Sequence, residues 1–198
     1  MQVKISDYLM KKIEKFAMDR LRGSKGLYNQ RGKSSDYKLL TDIIAGCMGE
    51  YAVYKHLKSS GIECSKPDLK IYGKGEKSFD SDLKSGESNI HVKSQTIQSV
   101  KRYGNSWLLQ RSDPLYKSPT DNDILAFTEV NVEDQVVDII GFCNATDIAD
   151  NELWAECKVP RFRRTKIALY LVDFSCYDII RAELLNGGKD DKDKCGAS

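Results

Sequence analysis

Between Phe79 and Thr96 the sequence reads FDSDLKSGESNIHVKSQT, two stretches of period two separated by turn-forming residues, and that pattern commits this part of the chain to a β-hairpin. Ile90 to Gln95 alternates strictly, so Ile90, Val92 and Ser94 share one side of a strand while His91, Lys93 and Gln95 share the other. The preceding run, Asp80-Ser81-Asp82-Leu83, has the same period with both carboxylates on one side. Ser85 to Asn89 supplies the connection. Closing the hairpin brings Asp80 or Asp82 towards Lys93, and the polar side of the second strand becomes the chemical side.

The helices around this hairpin are set by apolar spacing. Ser6 is placed to cap a helix carrying Leu9, Ile13, Phe16, Ala17 and Leu21, with Gly23 as its expected end. The residues RLRGSKGLYNQRGK then read as a basic loop. Arg22, Lys25 and Arg31 can neutralise phosphates and Tyr28 can stack on a base. A second helix is expected over Asp36 to Lys58, with Leu40, Ile43, Ile44, Cys47, Tyr51, Tyr54 and Leu57 on its apolar face. Glu50 falls on that face, where a carboxylate must reach water, pair with a cation or hold a metal. Gly46 and Gly49 beside it are poor choices for a helix built only for stability, and suit a helix that approaches a sheet or a phosphate backbone closely.

Further along, Ser65 to Tyr72 reads as a strand containing Pro67-Asp68, which makes Asp68, and after it Asp80, alternatives to Asp82 as the site acid. Lys101 and Arg102, near Tyr103 and Trp107, mix phosphate partners with rings, although Trp107 itself reads as core. Ile124 to Val132 and Val136 to Asn144 form an expected strand pair, Thr146 to Glu156 a helix, and Lys166 to Phe174 a last strand. Arg161 and Arg163 lie in a second basic cluster before it. Tyr177 to Leu185 reads as a final helix, and residues 189–198 as a charged, unstructured tail. Residues 1–188 are thus expected to form a single domain with a helical, basic extension over 1–35.

Composition narrows the class. Residues 1–120 hold 22 Lys/Arg against 13 Asp/Glu, and residues 121–198 hold 9 against 16, so the formal charge of +2 conceals a basic part that contains the hairpin. A polyanion-binding enzyme needs that arrangement. No apolar run approaches a membrane span, so no membrane partner and a cytoplasmic location are expected. Six scattered cysteines without a C-x-x-C pair read as reduced thiols, and only two histidines give a Cys/His zinc site little support.

On these residues the chain resembles the PD-(D/E)XK nuclease superfamily, in which an acid on one core strand is followed by an acid, any residue and a lysine on the next, often with a glutamate on a preceding helix. Asp82, His91-Val92-Lys93 and Glu50 match those elements in order, within a resemblance that spans Asp36 to Phe174, and His91 stands where the family usually has an acid. The resemblance implies an α+β fold, a restriction-endonuclease-like core with a mixed β-sheet flanked by helices. It implies a metal-dependent endodeoxyribonuclease in which Asp82 and Glu50 bind Mg²⁺, or Mn²⁺ in its place; a neutral His91 can itself ligate the metal, suiting Mn²⁺ better, or act as base through a bound water. Lys93 would then orient the attacking water and Gln95 would hold a phosphate or water. DNA is the implied partner and a homodimer the implied assembly. The alternative from another class is a nuclease-like DNA-binding protein without catalysis, an inhibitor or assembly factor.

Overall fold

The central strand, Asp123–Asn131 (β5 below), is apolar on both sides, with residues 124–128 all buried, and a strand of that kind must be covered on both faces. The computed structural model describes residues 1–30, 36–71 and 81–170, with no account of the side chains of 24–30. In chain order its elements are β1 (Gln2–Lys4), α1 (Asp7–Gln30), α2 (Asp36–Ser59), β2 (Leu83–Ser85), β3 (Ser88–Thr96), α3 (Ile97–Tyr103) and β4 (Ser106–Gln110). They continue with α4 (Pro114–Lys117), β5, β6 (Val136–Asn144), α5 (Ala145–Asp150), β7 (Trp154–Glu156), a 3₁₀ turn (Pro160–Phe162) and β8 (Lys166–Tyr170). A five-stranded mixed sheet runs β1-β6-β5-β3-β2, in which only β3 and β5 are parallel, and a second antiparallel sheet runs β4-β8-β7.

Register decides the layers. Ile90, Val92 and Ser94 of β3 pair with Ile124, Ala126 and Thr128 of β5, and this face lies against α2: a Cβ added to Gly49 would sit 2.1 Å from Ser94 Oγ and 2.7 Å from Thr128 Oγ1. The other face carries Phe127, which is fully buried against Trp107 of β4 with ring centroids 4.7 Å apart. The Trp107 indole N–H donates to the Thr128 carbonyl at 3.4 Å, so the small sheet is both packed and hydrogen-bonded to the large one. Burying each of these large side chains contributes about 1.5–3 kcal/mol.

Helix α2 explains the weak periodicity of its own sequence. It lies between α1 and the sheet, so Leu39, Ala45, Met48, Ala52, Val53 and His56 are buried along with the expected Ile43, Ile44, Cys47 and Leu57. The expected face of α1 holds, with Ile13, Phe16 and Ala17 buried.

Other expectations need correction. Helix α1 does not stop at Gly23 but continues to Gln30, because each of its interior glycines, Gly23 and Gly26, costs about 1 kcal/mol without breaking the helix, so the supposed basic loop is helical as far as the described residues go. Residues 65–71 form no strand. Pro67 lacks an amide to donate, and the Asp68 carboxylate accepts from the Lys70 amide at 2.9 Å, a local turn that competes with a ladder. The first hairpin strand is displaced to Leu83–Ser85, leaving Gly86, at φ 55°, and Glu87 as the turn. Helix α3 is an addition to the expected elements; Thr96 caps it by accepting from the Ser99 amide at 3.3 Å. Helix α5 ends at Asp150, and the rest of its expected span contributes β7. The expected final helix and tail lie outside the described residues. Among the described residues no helix is long and apolar enough to cross a membrane.

Candidate functional site

Leu83 pairs with Ile90, so Asp82 stands one step beyond the β2–β3 ladder, across from His91. There it leaves regular strand geometry: its amide donates to the Ile90 carbonyl at 3.1 Å, and its Oδ2 accepts from the Val92 amide at 2.8 Å. The carboxylate thereby takes the place a strand carbonyl would have, which fixes its orientation at the sheet edge.

His91 is 7 % exposed, with Nε2 3.3 Å from Asp123 Oδ1. Asp123 also accepts from Asn89 Nδ2 at 3.3 Å, the Thr120 amide at 3.0 Å and Thr120 Oγ1 at 2.7 Å. Burial pushes the Asp123 carboxyl up, but the bonds from Thr120, His91 and Asn89 outweigh it and hold the group below its ordinary range. For His91, burial and then the Lys93 ammonium lower the imidazole pKa, against the opposing pull of Asp123 and Asp82. The ring is therefore neutral at pH 7, donating its Nε2 proton to Asp123 and keeping Nδ1 as an acceptor. Asp123 escapes a sequence reading because nothing in SPTDND marks one aspartate as the residue that opens β5 beside β3.

Glu50 approaches from the other side. It lies on α2 next to Gly49, which faces Ser94, whereas Lys93 alternates to the opposite face of β3. Asp82 is the residue felt from both sides, since its charge acts on His91 and on Cys47, one turn of α2 before Glu50. The Cys47 thiol is pushed up to about 12, first by burial and then by the Glu50 carboxylate. Asp82 and His91 thus stand across from each other on the hairpin, with Asp123 against the His91 ring and Lys93 two residues on, while Glu50 stays in the helix layer on α2. Among the described residues no three His, Cys, Asp or Glu side chains gather as a metal-holding group. Of the alternative acids, Asp68 lies in the irregular segment described above, and Asp80 lies outside the described residues.

Gln95 has a different position from the one its face suggested. It is 8 % exposed, its Nε2 donates to the Gly104 carbonyl at 3.0 Å, and its Oε1 accepts from the Ser106 amide at 2.8 Å. Both ends of the amide pin the α3–β4 turn, so Gln95 shapes the wall of a cleft beyond the C-terminal end of β3.

That cleft has a volume of about 650 Å³ and is bounded by α2, α3, β4, the 3₁₀ turn and β8. Among the described residues Lys38, Arg102, Lys158, Arg161 and Lys166 line it, against the single carboxylate of Asp42, which lies 3.2 Å from Lys38. Of the basic residues singled out in the sequence, and among the described residues, only Arg102 and Arg161 reach it. Lys101 is exposed on α3, Arg22 lies 3.7 Å from Asp19 on α1, and Arg163 Nε lies 3.9 Å from Glu156. Lys25 and Tyr28 fall where only the backbone of α1 is described, and Arg31 lies outside the described residues. Lys38, Lys158 and Lys166 escape a sequence reading because Lys38 lies on α2, more than a hundred residues before the other two.

No family model, curated protein or solved structure matches the chain.

Proposed function

We propose that the protein is a metal-dependent endodeoxyribonuclease with a variant PD-(D/E)XK site on a restriction-endonuclease-like core. The observation that carries the reading is the β2–β3 register, which sets Asp82 across from His91 with Lys93 two residues further on the same side. An acid and a lysine in adjacent strands, beside a neutral imidazole with a free acceptor nitrogen, supply what phosphodiester hydrolysis asks of a protein. The acid holds a hard cation, the imidazole takes a proton from water, and the ammonium stabilises charge on the phosphorus oxygens.

The donor chemistry fits Mg²⁺, which uses one or two carboxylates and fills its remaining positions with water and substrate phosphate, so a closed three-ligand cage is not required. Asp82 and Glu50 would hold it and His91 would suit Mn²⁺. Bound there, the cation would supply Lewis acidity and acidify a water. The Val92 amide keeps the Asp82 carboxylate oriented whether or not a cation is present. Asp123 performs the same service for His91, presenting its Nδ1 as the proton acceptor.

The test is cleavage of supercoiled plasmid with Mg²⁺ or Mn²⁺ by wild type, Lys93→Ala and Asp82→Asn. Both variants should lose cutting by at least about a hundredfold while keeping DNA affinity. Variants that cut as well as wild type would place the chemistry elsewhere. A second reading, a DNA-binding protein that does not cut, is favoured by one observation: Asp82 Oδ2 and His91 Nε2 are already engaged by Val92 and Asp123. It predicts salt-sensitive DNA binding with no product under either metal.

A further inference from the structure

The cleft beyond β3 is separate from the hairpin cluster. Gln95 follows His91 by four steps of strand, about 13 Å at the ordinary rise of about 3.3 Å per residue. Among the described residues four of the cleft's five cations lie over rings, and Lys38 pairs with Asp42. Lys158 Nζ lies 4.3 Å from the Tyr170 ring centroid, Arg161 and Lys166 lie 4.6 and 4.9 Å from that of Phe162, and Arg102 lies 5.2 Å from that of Tyr103. The Lys158 amide also donates to the Tyr170 hydroxyl at 2.7 Å, tying the segment after β7 to β8. Positive charges ordered in this way lose little freedom when an anion arrives.

We infer that this cleft binds an unpaired nucleic-acid strand, its phosphates on Lys38, Arg102, Lys158, Arg161 and Lys166 and a base against Tyr103. The chemical class follows from two features. Among the described residues five cations face one carboxylate, which selects a polyanion, and a ring 42 % exposed at the edge of a concave basic site offers a face for stacking. The geometry separates strand from duplex. A cleft of about 650 Å³ lies within the size range of small-ligand sites, and a base pair stacked inside a helix cannot enter it, whereas an unstacked nucleotide can. The inference deepens the nuclease reading, since it assigns that enzyme a substrate with a single-stranded end or flap next to the scissile bond, and its test requires no cutting.

Full-length protein in EDTA is titrated into a short fluorescein-labelled oligothymidylate and into a blunt duplex of equal length, with fluorescence anisotropy as the readout. The single strand should bind at least tenfold more tightly than the duplex. The double variant Arg102→Ala/Arg161→Ala should weaken single-strand binding more than tenfold and reduce the slope of log K against log salt by about 1.4, at about 0.7 per lost phosphate contact. Tyr103→Leu should weaken it about tenfold with the salt slope unchanged. Arg102→Lys/Arg161→Lys, which keeps the charge, should retain the wild-type slope. All these side chains are exposed, so folding is unaffected, and circular dichroism checks it. Duplex binding as tight as strand binding, or alanine variants that bind like wild type, would overturn the inference. If strand binding holds while plasmid is not cut with either metal, the nuclease reading fails and the cleft assignment stands. If cutting persists without strand preference, the cleft assignment fails and the nuclease reading stands.

Discussion

Gly49→Ala and Gly46→Ala make the same chemical change in the same helix, three residues apart, and should move stability in opposite directions. At Gly46 a Cβ meets nothing within 4 Å, so alanine should contribute only its helix propensity, a gain of about 1 kcal/mol. At Gly49 the same Cβ would lie 2.1 Å from Ser94 Oγ and 2.7 Å from Thr128 Oγ1, and these two hydroxyls hydrogen-bond to each other at 2.8 Å between α2 and the sheet. Both must move. Overpacking costs about 1–3 kcal/mol and a broken buried hydroxyl pair about 1–3 kcal/mol more, so even after the propensity gain the variant loses about 1–5 kcal/mol. For a chain of this size each kcal/mol corresponds to about 2–4 °C in Tm. Thermal unfolding should therefore place Gly46→Ala above wild type by about 2–4 °C and Gly49→Ala below it by at least as much. Adding Ser94→Ala to Gly49→Ala removes the nearest oxygen and should recover part of the loss. A Gly49→Ala protein as stable as wild type would refute the close approach of α2 to β3 and β5, and with it the placement of Glu50 relative to Lys93.

Two further outcomes follow from the titrating groups. Since the His91 pKa lies below 6.5 in the folded chain, the unfolded chain takes up that proton first as the pH falls, so this contribution to stability is complete above pH 6.5 and is lost below it. Urea titrations between about pH 6.5 and 4.5, above the range where Asp123 protonates, should show wild type losing stability faster than His91→Gln, by at most about 1.4 kcal/mol per pH unit. Equal slopes would remove the burial argument for His91. Cys47, 4 % exposed and with its thiol pushed up to about 12, should resist iodoacetamide at pH 8 in the native protein and react in urea, as read by peptide mass spectrometry. Labelling of native Cys47 would contradict its burial on α2.

What is local in this protein was legible in its residues. Alternation in Ile90 to Gln95 set which side chains share a face. Apolar spacing set the two long helices, and of the two glycines expected to mark a close approach Gly49 makes one while Gly46 faces open space. The strand pair 124–132 and 136–144 was equally readable, because each strand carries its own period and the turn residues lie between them. Whatever depends on residues far apart in the chain was settled by folding. Whether α2 is buried on one side or nearly all round is set by α1 above and the sheet below, and no property of its own sequence records both. The parallel pairing of β3 with β5 brought Asp123 to His91 across 32 positions, and hydrogen bonding there decided which histidine nitrogen holds its proton. Gln95, polar and on the expected face, was committed to the turn after α3 by two backbone groups that only the folded chain brings within reach. The basic cleft combines residues from 38 to 170, and charge that converges over that separation appears in the sequence only as scattered lysines and arginines.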